Sequence, residues 1–315
     1  MRALHVPSPG DRPTLGELPM PEVGEGGVLI RVHAAGLNPI DNLLAAGAMA
    51  GMIPHEYPLV VGRDAAGVVE AVGAGVDHVR PGDHVLGHVL LAPPIQAGTV
   101  AEYAVLPAAS VSKLPAGMDF ATAAAIPLAS AAASAAVAAL ADVLRPDVIV
   151  LVNGASGGVG SYVVQLLAAE GVRVVATGTA ADTDRLRGLG ATDVVDHTAG
   201  PVAEQVLAAY PDGVDALVNL AGTTADQVPL AAVKKGGVVS FTTMGPDEES
   251  LAAAGLVGRK VMAHATREVT APIAQQVADG RLQVSVDQVL DLDRAAEGLA
   301  TLAAGAARGK IVVVL

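Results

Sequence analysis

One stretch of this 315-residue sequence has residue types and spacing suited to gripping an anionic cofactor. It reads Asn153-Gly154-Ala155-Ser156-Gly157-Gly158-Val159-Gly160, and it lies between an apolar run at 148–152 and a helical pattern at about 161–170. Glycines in such a turn let the backbone approach a pyrophosphate closely. The helix start adds N–H groups with no partner inside the helix, together with the positive end of the helix dipole. Ala155, Gly157 and Gly160 take the three small-residue places of the dinucleotide fingerprint, and Ser156, Gly158 and Val159 fill the places between. Residues 155–160 are therefore expected to hold a dinucleotide.

The end of the next strand bears on which dinucleotide. A site for NAD usually places Asp or Glu there, to accept from the ribose 2′-hydroxyl. Here the chain reads Thr177-Gly178-Thr179, with no carboxylate before Asp182. A small, polar, uncharged site leaves room for a 2′-phosphate, so NADP(H) is the expected cofactor, with Arg185 the candidate phosphate contact. Leu220, Ala221 and Thr242, at the ends of later strands, complete the expected lining. The glycine spacing also satisfies the short-chain dehydrogenase pattern at Gly154, Gly158 and Gly160. That chemistry needs a Tyr-x-x-x-Lys pair, and none of Tyr57, Tyr103, Tyr162 and Tyr210 has Lys four residues on.

The elements that must position this turn change character along the chain. As far as about Lys113 the sequence is short β-type runs (28–32, 65–72, 100–106) separated by turns such as Arg80-Pro81-Gly82-Asp83. Strand and helix patterns then alternate, with strands expected at 148–152, 172–177, 193–195, 216–220 and 238–242. The first of these is continuously apolar, as a strand buried on both faces of a parallel sheet should be. After about Val261 come a helix (271–279), a strand (286–290), a helix (295–304) and a last strand (311–314). That tail is too short to stand alone and should return to the β unit. The expected fold is α/β: a β domain (1–120 and 262–315) with a doubly wound Rossmann domain (121–261) inserted before the C-terminal return segment.

Composition limits the partners. The net charge is −13 with no run of Lys or Arg, so a nucleic acid or an anionic membrane surface would be repelled. With no Trp, two Phe and four Tyr, there are few platforms for stacking bases. The absence of cysteine removes disulfides, thiol nucleophiles and thiolate zinc sites. The apolar window at 121–141 is mostly Ala and Ser around Pro127, which suits a buried small-residue helix better than a membrane span. The first residues, Met1-Arg2-Ala3-Leu4-His5-Val6-Pro7, lack the apolar core of a signal peptide, so the cytoplasm is the expected compartment.

Several elements in series resemble the quinone oxidoreductase-like, zeta-crystallin-like members of the medium-chain dehydrogenase/reductase superfamily. They are Ala35-Gly36-Leu37-Asn38-Pro39-Ile40-Asp41, Val61-Gly62-Arg63-Asp64-Ala65-Ala66-Gly67, Pro81-Gly82-Asp83-His84-Val85, Gly98-Thr99-Val100-Ala101-Glu102-Tyr103, the glycine turn, Lys235-Gly236-Gly237 and Ala307-Arg308-Gly309-Lys310-Ile311. The resemblance implies a GroES-like β domain beside the Rossmann domain, a substrate cleft between them, and a homodimer formed through the Rossmann sheet edge, for which 238–242 is the candidate strand. Zinc-dependent relatives hold metal with Cys, a Gly-His-Glu element and a further Cys or Asp. This chain has Asn38 and Gly62-Arg63-Asp64 at the first two, so no metal site is expected. It also departs from the family pattern at Ala132, where Thr is frequent, at Ala180-Ala181, where a cation is frequent, and at His197, where Tyr is frequent. His197 is expected beside the adenine phosphate.

Without a metal, the accessible chemistry is hydride transfer to an electrophilic carbonyl compound such as a quinone or conjugated enone. Asn38 and Asp41 are the candidate catalytic residues, with Asn38 donating through its amide and Asp41 orienting backbone or ribose. Loop structure accounts for both equally well, since Asn and Asp commonly cap turns and Pro39 marks one. Two other functions stay open: a cofactor-binding protein with little turnover, and an enoyl-thioester reductase.

Overall fold

The computed structural model describes residues 1–222, 227–242 and 245–315. Contacts divide the chain into two compact units, Met1–Ala131 with His264–Leu315, and Ala132–Ala263. In the order of the chain the elements begin with β1 (Arg2–Val6), β2 (Thr14–Glu17), β3 (Gly27–Leu37), α1 (Pro39–Ala45), β4 (Leu59–Val60), β5 (Asp64–Val72), β6 (His84–His88), β7 (Tyr103–Pro107), β8 (Ser112–Lys113), α2 (Phe120–Ala124) and α3 (Pro127–Ala138). They continue with β9 (Ile149–Asn153), α4 (Gly158–Ala169), β10 (Arg173–Gly178), α5 (Thr183–Gly188), β11 (Asp193–Asp196), α6 (Val202–Ala209), β12 (Val214–Asn219), β13 (Val233–Phe241), α7 (Glu248–Ala253) and β14 (Val257–Lys260). The last are α8 (Arg267–Ala278), β15 (Val286–Asp291), α9 (Ala295–Ala303) and β16 (Lys310–Val314).

The first unit is built on β3, eleven residues long and buried along most of its length. It pairs antiparallel with β5, β7 and β16, in a sheet ordered β15-β16-β3-β5-β6-β8 with β7 beside β3. The returning strand β16 thus pairs with β3 as the short tail required. A smaller antiparallel sheet is ordered β2-β1-β4. Two glycines make the packing around β3 possible. A Cβ on Gly67 would lie 2.1 Å from the Arg31 carbonyl oxygen, and one on Gly36 would lie 2.2 Å from the Ala124 carbonyl oxygen. The second close approach lets α2 lie directly against β3.

The second unit is one parallel sheet ordered β11-β10-β9-β12-β13-β14. With β9 as first strand, this is the doubly wound order whose ligand crevice opens where the chain reverses direction across the sheet, between β9 and β12. Leu151 and its neighbours Val150 and Val152 are fully buried, as a central strand requires.

Three expectations change. The strand at 238–242 is not a sheet edge: β13 lies between β12 and β14, and β14 is the outermost strand. The apolar window at 121–141 is two helices, interrupted at Ala125-Ile126, with Pro127 opening α3 where its missing N–H costs nothing. The early region also contains α1, started by Pro39 in its first turn. Among the described residues no helix is long and apolar enough to cross a membrane.

Gly36→Ala should destabilise the protein by at least about 2 kcal/mol in denaturant unfolding, because its Cβ meets backbone that cannot step aside. Gly188→Ala, where an added Cβ meets nothing within 4 Å, should be neutral or stabilising by up to about 1 kcal/mol. Equal effects at the two positions would show that the Ala124 contact is not limiting.

Candidate functional site

In the second unit the glycine turn joins β9 to α4 at the reversal point. Gly154 has φ +84°, a conformation that favours glycine. A Cβ on Gly160 would lie 2.2 Å from the Gly154 carbonyl oxygen and 2.5 Å from the Ala155 Cα, so this glycine lets α4 pack directly on the turn. Gly157 differs. It caps α4 with an ordinary φ of −78°, and the nearest atom to an added Cβ is the Gly154 oxygen at 3.5 Å. Its missing side chain therefore leaves open space beside the helix start, where the N–H groups of residues 158–160 have no partner inside α4. A phosphate group fits that combination of space and donors.

The turn is held from both sides. Asn153 Nδ2 donates to Asn219 Oδ1 at 2.8 Å and to the Ala221 carbonyl at 3.0 Å, while the Leu220 N–H donates to the Asn153 carbonyl at 2.9 Å. Leu220 and Ala221 thus shape the turn from the end of β12. Thr177 is buried and its hydroxyl accepts from the Gly154 N–H at 2.8 Å, so it braces the turn.

Beyond β10, Asp182 is buried and turned inward. It accepts from the Thr179 N–H at 2.9 Å, the Thr179 hydroxyl at 2.8 Å and Arg185 Nη2 at 2.9 Å. The same Arg185 nitrogen donates to the Ser156 carbonyl at 3.0 Å, which places the guanidinium against the glycine turn. Arg185 Nη1 is buried without a hydrogen-bond partner among the described residues. Gly178 permits this closeness, since a Cβ there would meet Leu186 Cδ1 at 2.7 Å. His197 is exposed and its N–H donates to the Gly178 carbonyl at 3.0 Å, bringing it to the end of β10. Thr242 directly follows β13; residues 243–244 after it lie outside the described residues.

The first unit holds a separate buried charge cluster. Asp64 accepts from Asn38 Nδ2 at 2.9 Å, Lys310 Nζ at 3.3 Å and the Leu128 N–H at 3.1 Å, and His88 Nδ1 lies 2.8 Å from its other side. Burial alone would raise its pKa. The Lys310 ammonium and the His88 contact outweigh burial and hold the carboxyl below its ordinary range. Asp41 has the opposite balance. Its Oδ2 accepts from the Asn38 N–H at 2.8 Å, but its Oδ1 has no partner among the described residues. Burial pushes its pKa up to about 7, against the pull of Arg63. The two carboxyl groups of one cluster therefore titrate far apart. Arg63 is itself buried and donates to the Ala97 carbonyl, and its Nε has no partner among the described residues.

Within this cluster the Asn38 side chain is fully engaged. Its amide donates to Asp64 and, at 3.3 Å, to the Gly36 carbonyl, and its Oδ1 accepts from Lys310 at 2.6 Å. Both N–H groups are used inside the unit, so in this arrangement none points outward to a substrate. Asn153, Asp182, His88 and Lys310 were not singled out as site residues by sequence. Lys310 in particular opens an apolar strand with nothing local to indicate partners far along the chain.

Residues 24–116 match the alcohol dehydrogenase GroES-like domain family, and residues 189–313 the zinc-binding dehydrogenase family. The chain is 30% identical over 325 aligned positions to the mitochondrial NAD(P)H oxidoreductase RTN4IP1 of Danio rerio, covering 91% of this chain and 83% of that protein. The chloroplastic quinone-oxidoreductase QR1 of Triphysaria versicolor is 29% identical, with 94% of this chain and 92% of that protein covered. The chain belongs to the quinone oxidoreductase-like medium-chain dehydrogenase/reductases. Two solved structures cover this chain completely and are covered completely by it. One is an NAD-dependent alcohol dehydrogenase (TM-score 0.86, 30% identity), the other a mycobacterial protein complexed with NADPH (TM-score 0.86, 28% identity). The matching family's description names zinc, yet the residues here do not fit that ion. The chain has no cysteine, and a lysine ammonium already sits against Asn38 and Asp64. Among the described residues no group of three or more His, Cys, Asp or Glu is arranged to hold a metal.

The Asp41 pKa sets a pH dependence. A carboxyl whose pKa is raised on folding adds stability in full at low pH, and that contribution is lost as pH climbs towards about 7. Asp41→Asn keeps a neutral group of the same shape. Its melting temperature relative to the parent protein should therefore improve by several degrees between about pH 4 and pH 7, and then level off. Asp64 has the opposite sign but is common to both proteins and cancels in the difference. A pH-independent difference would show that Asp41 titrates normally.

Proposed function

We propose that the chain is a zinc-free, NADPH-dependent reductase that passes hydride to a quinone or another conjugated carbonyl compound. The observation that carries the cofactor preference is the inward-turned Asp182. The first carboxylate after β10 is buried and turned onto Thr179 and Arg185, which favours these contacts over a bond to a ribose 2′-hydroxyl. The Arg185 guanidinium, resting against the glycine turn with Nη1 unpartnered among the described residues, supplies the positive charge a 2′-phosphate needs. Thr179 and the exposed His197 lie at the same strand end. Ser156 to Gly160 receive the pyrophosphate, and Ala155, Gly178, Leu220, Ala221 and Thr242 shape the surrounding wall.

When bound, the reduced nicotinamide supplies the hydride; the chain supplies grip, orientation and a dry surround. In this reading the Asn38–Asp41 turn forms part of the substrate side, with Asn38 acting through the turn it anchors. The likeness to quinone oxidoreductases supports the acceptor class. The full engagement of the Asn38 amide favours a second reading, a cofactor-binding protein with little turnover. A homodimer belongs to the proposal through β14, whose outer edge is unpaired among the described strands and which begins with a half-exposed Val257. The cytoplasm is proposed on composition, although the two relatives above act in organelles by name.

Titration followed by dihydronicotinamide fluorescence should show NADPH binding at least about tenfold tighter than NADH. Arg185→Ala should remove most of that ratio by weakening NADPH alone. Tighter NADH binding would overturn the cofactor assignment. Gly157→Ala should keep the fold by circular dichroism and weaken either dinucleotide about tenfold or more. Turnover across quinones, enones and acyl thioesters then identifies the acceptor, and binding with no turnover anywhere would favour the second reading.

A further inference from the structure

Lys310 opens β16, a strand that otherwise reads Ile-Val-Val-Val, and it is only 4% exposed. An ammonium group has three N–H donors and no acceptor. All three find oxygen: the Leu37 carbonyl at 2.9 Å, Asn38 Oδ1 at 2.6 Å and Asp64 Oδ2 at 3.3 Å. A neutralising partner for Asp64 would need only the last of these contacts. The shortest goes to the Asn38 side chain, and it decides which end of that amide faces which neighbour. An amide presents oxygen on one side and N–H groups on the other. Lys310 requires the oxygen, which directs Nδ2 to Asp64 and to the Gly36 carbonyl.

We propose that Lys310 is a positioning residue, whose buried ammonium sets the direction of the Asn38 side chain and so holds the Asn38–Asp41 turn at the start of α1 in one geometry. Asn38 precedes α1, and its N–H is the donor to Asp41 Oδ2. Because Asn38 is fixed at its side chain and its backbone, turning it out of this arrangement would leave further buried groups unpaired. The consequence for turnover rests on the functional reading above, in which this turn belongs to the substrate side. The structural part stands without it.

Lys310→Met takes the lysine ammonium away from Asp64 and could fail to fold, so Lys310→Arg is made as well. The guanidinium keeps the positive charge, but its flat fork cannot reproduce three converging ammonium bonds. Hydrogen–deuterium exchange is followed in peptides covering residues 36–45 and 154–169, together with NADPH affinity and kcat with a quinone. Exchange over 36–45 should quicken about tenfold or more in Lys310→Arg while 154–169 is unchanged. NADPH affinity should stay within about twofold, and kcat should fall about tenfold.

Asn38→Ala and the double variant close a cycle. If Lys310 acts through Asn38, adding Lys310→Arg to Asn38→Ala should change exchange over 36–45 and kcat little further. Undiminished additivity, or unchanged exchange over 36–45 in the single Lys310 variants, would overturn the proposal and leave Lys310 as a counter-charge for Asp64. A parent protein that reduces no acceptor would sink the functional reading alone, because the exchange cycle still decides the role of Lys310.

Discussion

A buried carboxylate in a protein interior is tolerable only when enough donors surround it, and the first unit is arranged around meeting that condition for Asp64. Its partners come from four separate places: the residue before α1, the end of β6, the start of α3 and the start of β16. Each brings its own element into register with β5. The sheet then follows, since β16 must lie beside β3 for Lys310 to reach both Asp64 and Asn38, and it does so with Ile311 opposite Leu37. The same surroundings explain Asp41, which shares the burial of Asp64 without its donors and is therefore pushed towards neutrality. One cluster thus contains an acid held below the ordinary carboxylate range and an acid raised to about 7.

The second unit is governed by close approach. Gly160 lets the start of α4 touch the turn, Gly178 lets α5 close on the end of β10, and Gly157 leaves space where the helix presents its free N–H groups. Around these, polar side chains at strand ends act inward: Asn153 on Asn219, Thr177 on Gly154, Asp182 on Thr179 and Arg185. The rigidity of the turn comes from these bonds, and its emptiness comes from glycine. Both are needed for a backbone site that must receive a charged group without rearranging.

Much of this was legible beforehand where the signal is local. The apolar run ending at Asn153, the glycines after it and the helix after those are contiguous, and contiguous patterns translate directly into a strand, a turn and a helix. The return of the C-terminal segment to the β unit was legible because so short a tail has no core of its own. The inward bond of Thr177 was not legible. A hydroxyl at a strand end looks available for a ligand until the depth of the neighbouring strand is known, and here that depth turns it onto the Gly154 N–H. The outer strand of the parallel sheet was misplaced because β14, Val-Gly-Arg-Lys, carries little apolar pattern, whereas the buried β13 carries a strong one.

The sequence by itself determined the α/β class, the insertion of a doubly wound unit, the dinucleotide turn and the lack of thiolate ligands, because each depends on composition or on residues adjacent in the chain. Tertiary structure alone decided that Lys310 meets Asn38 across 272 positions of sequence. It also decided that Asp182 faces inward and that Asp41 and Asp64 part in acidity. Those outcomes depend on which groups share a dehydrated space and how many donors reach each oxygen, and neither is a property of any segment read alone.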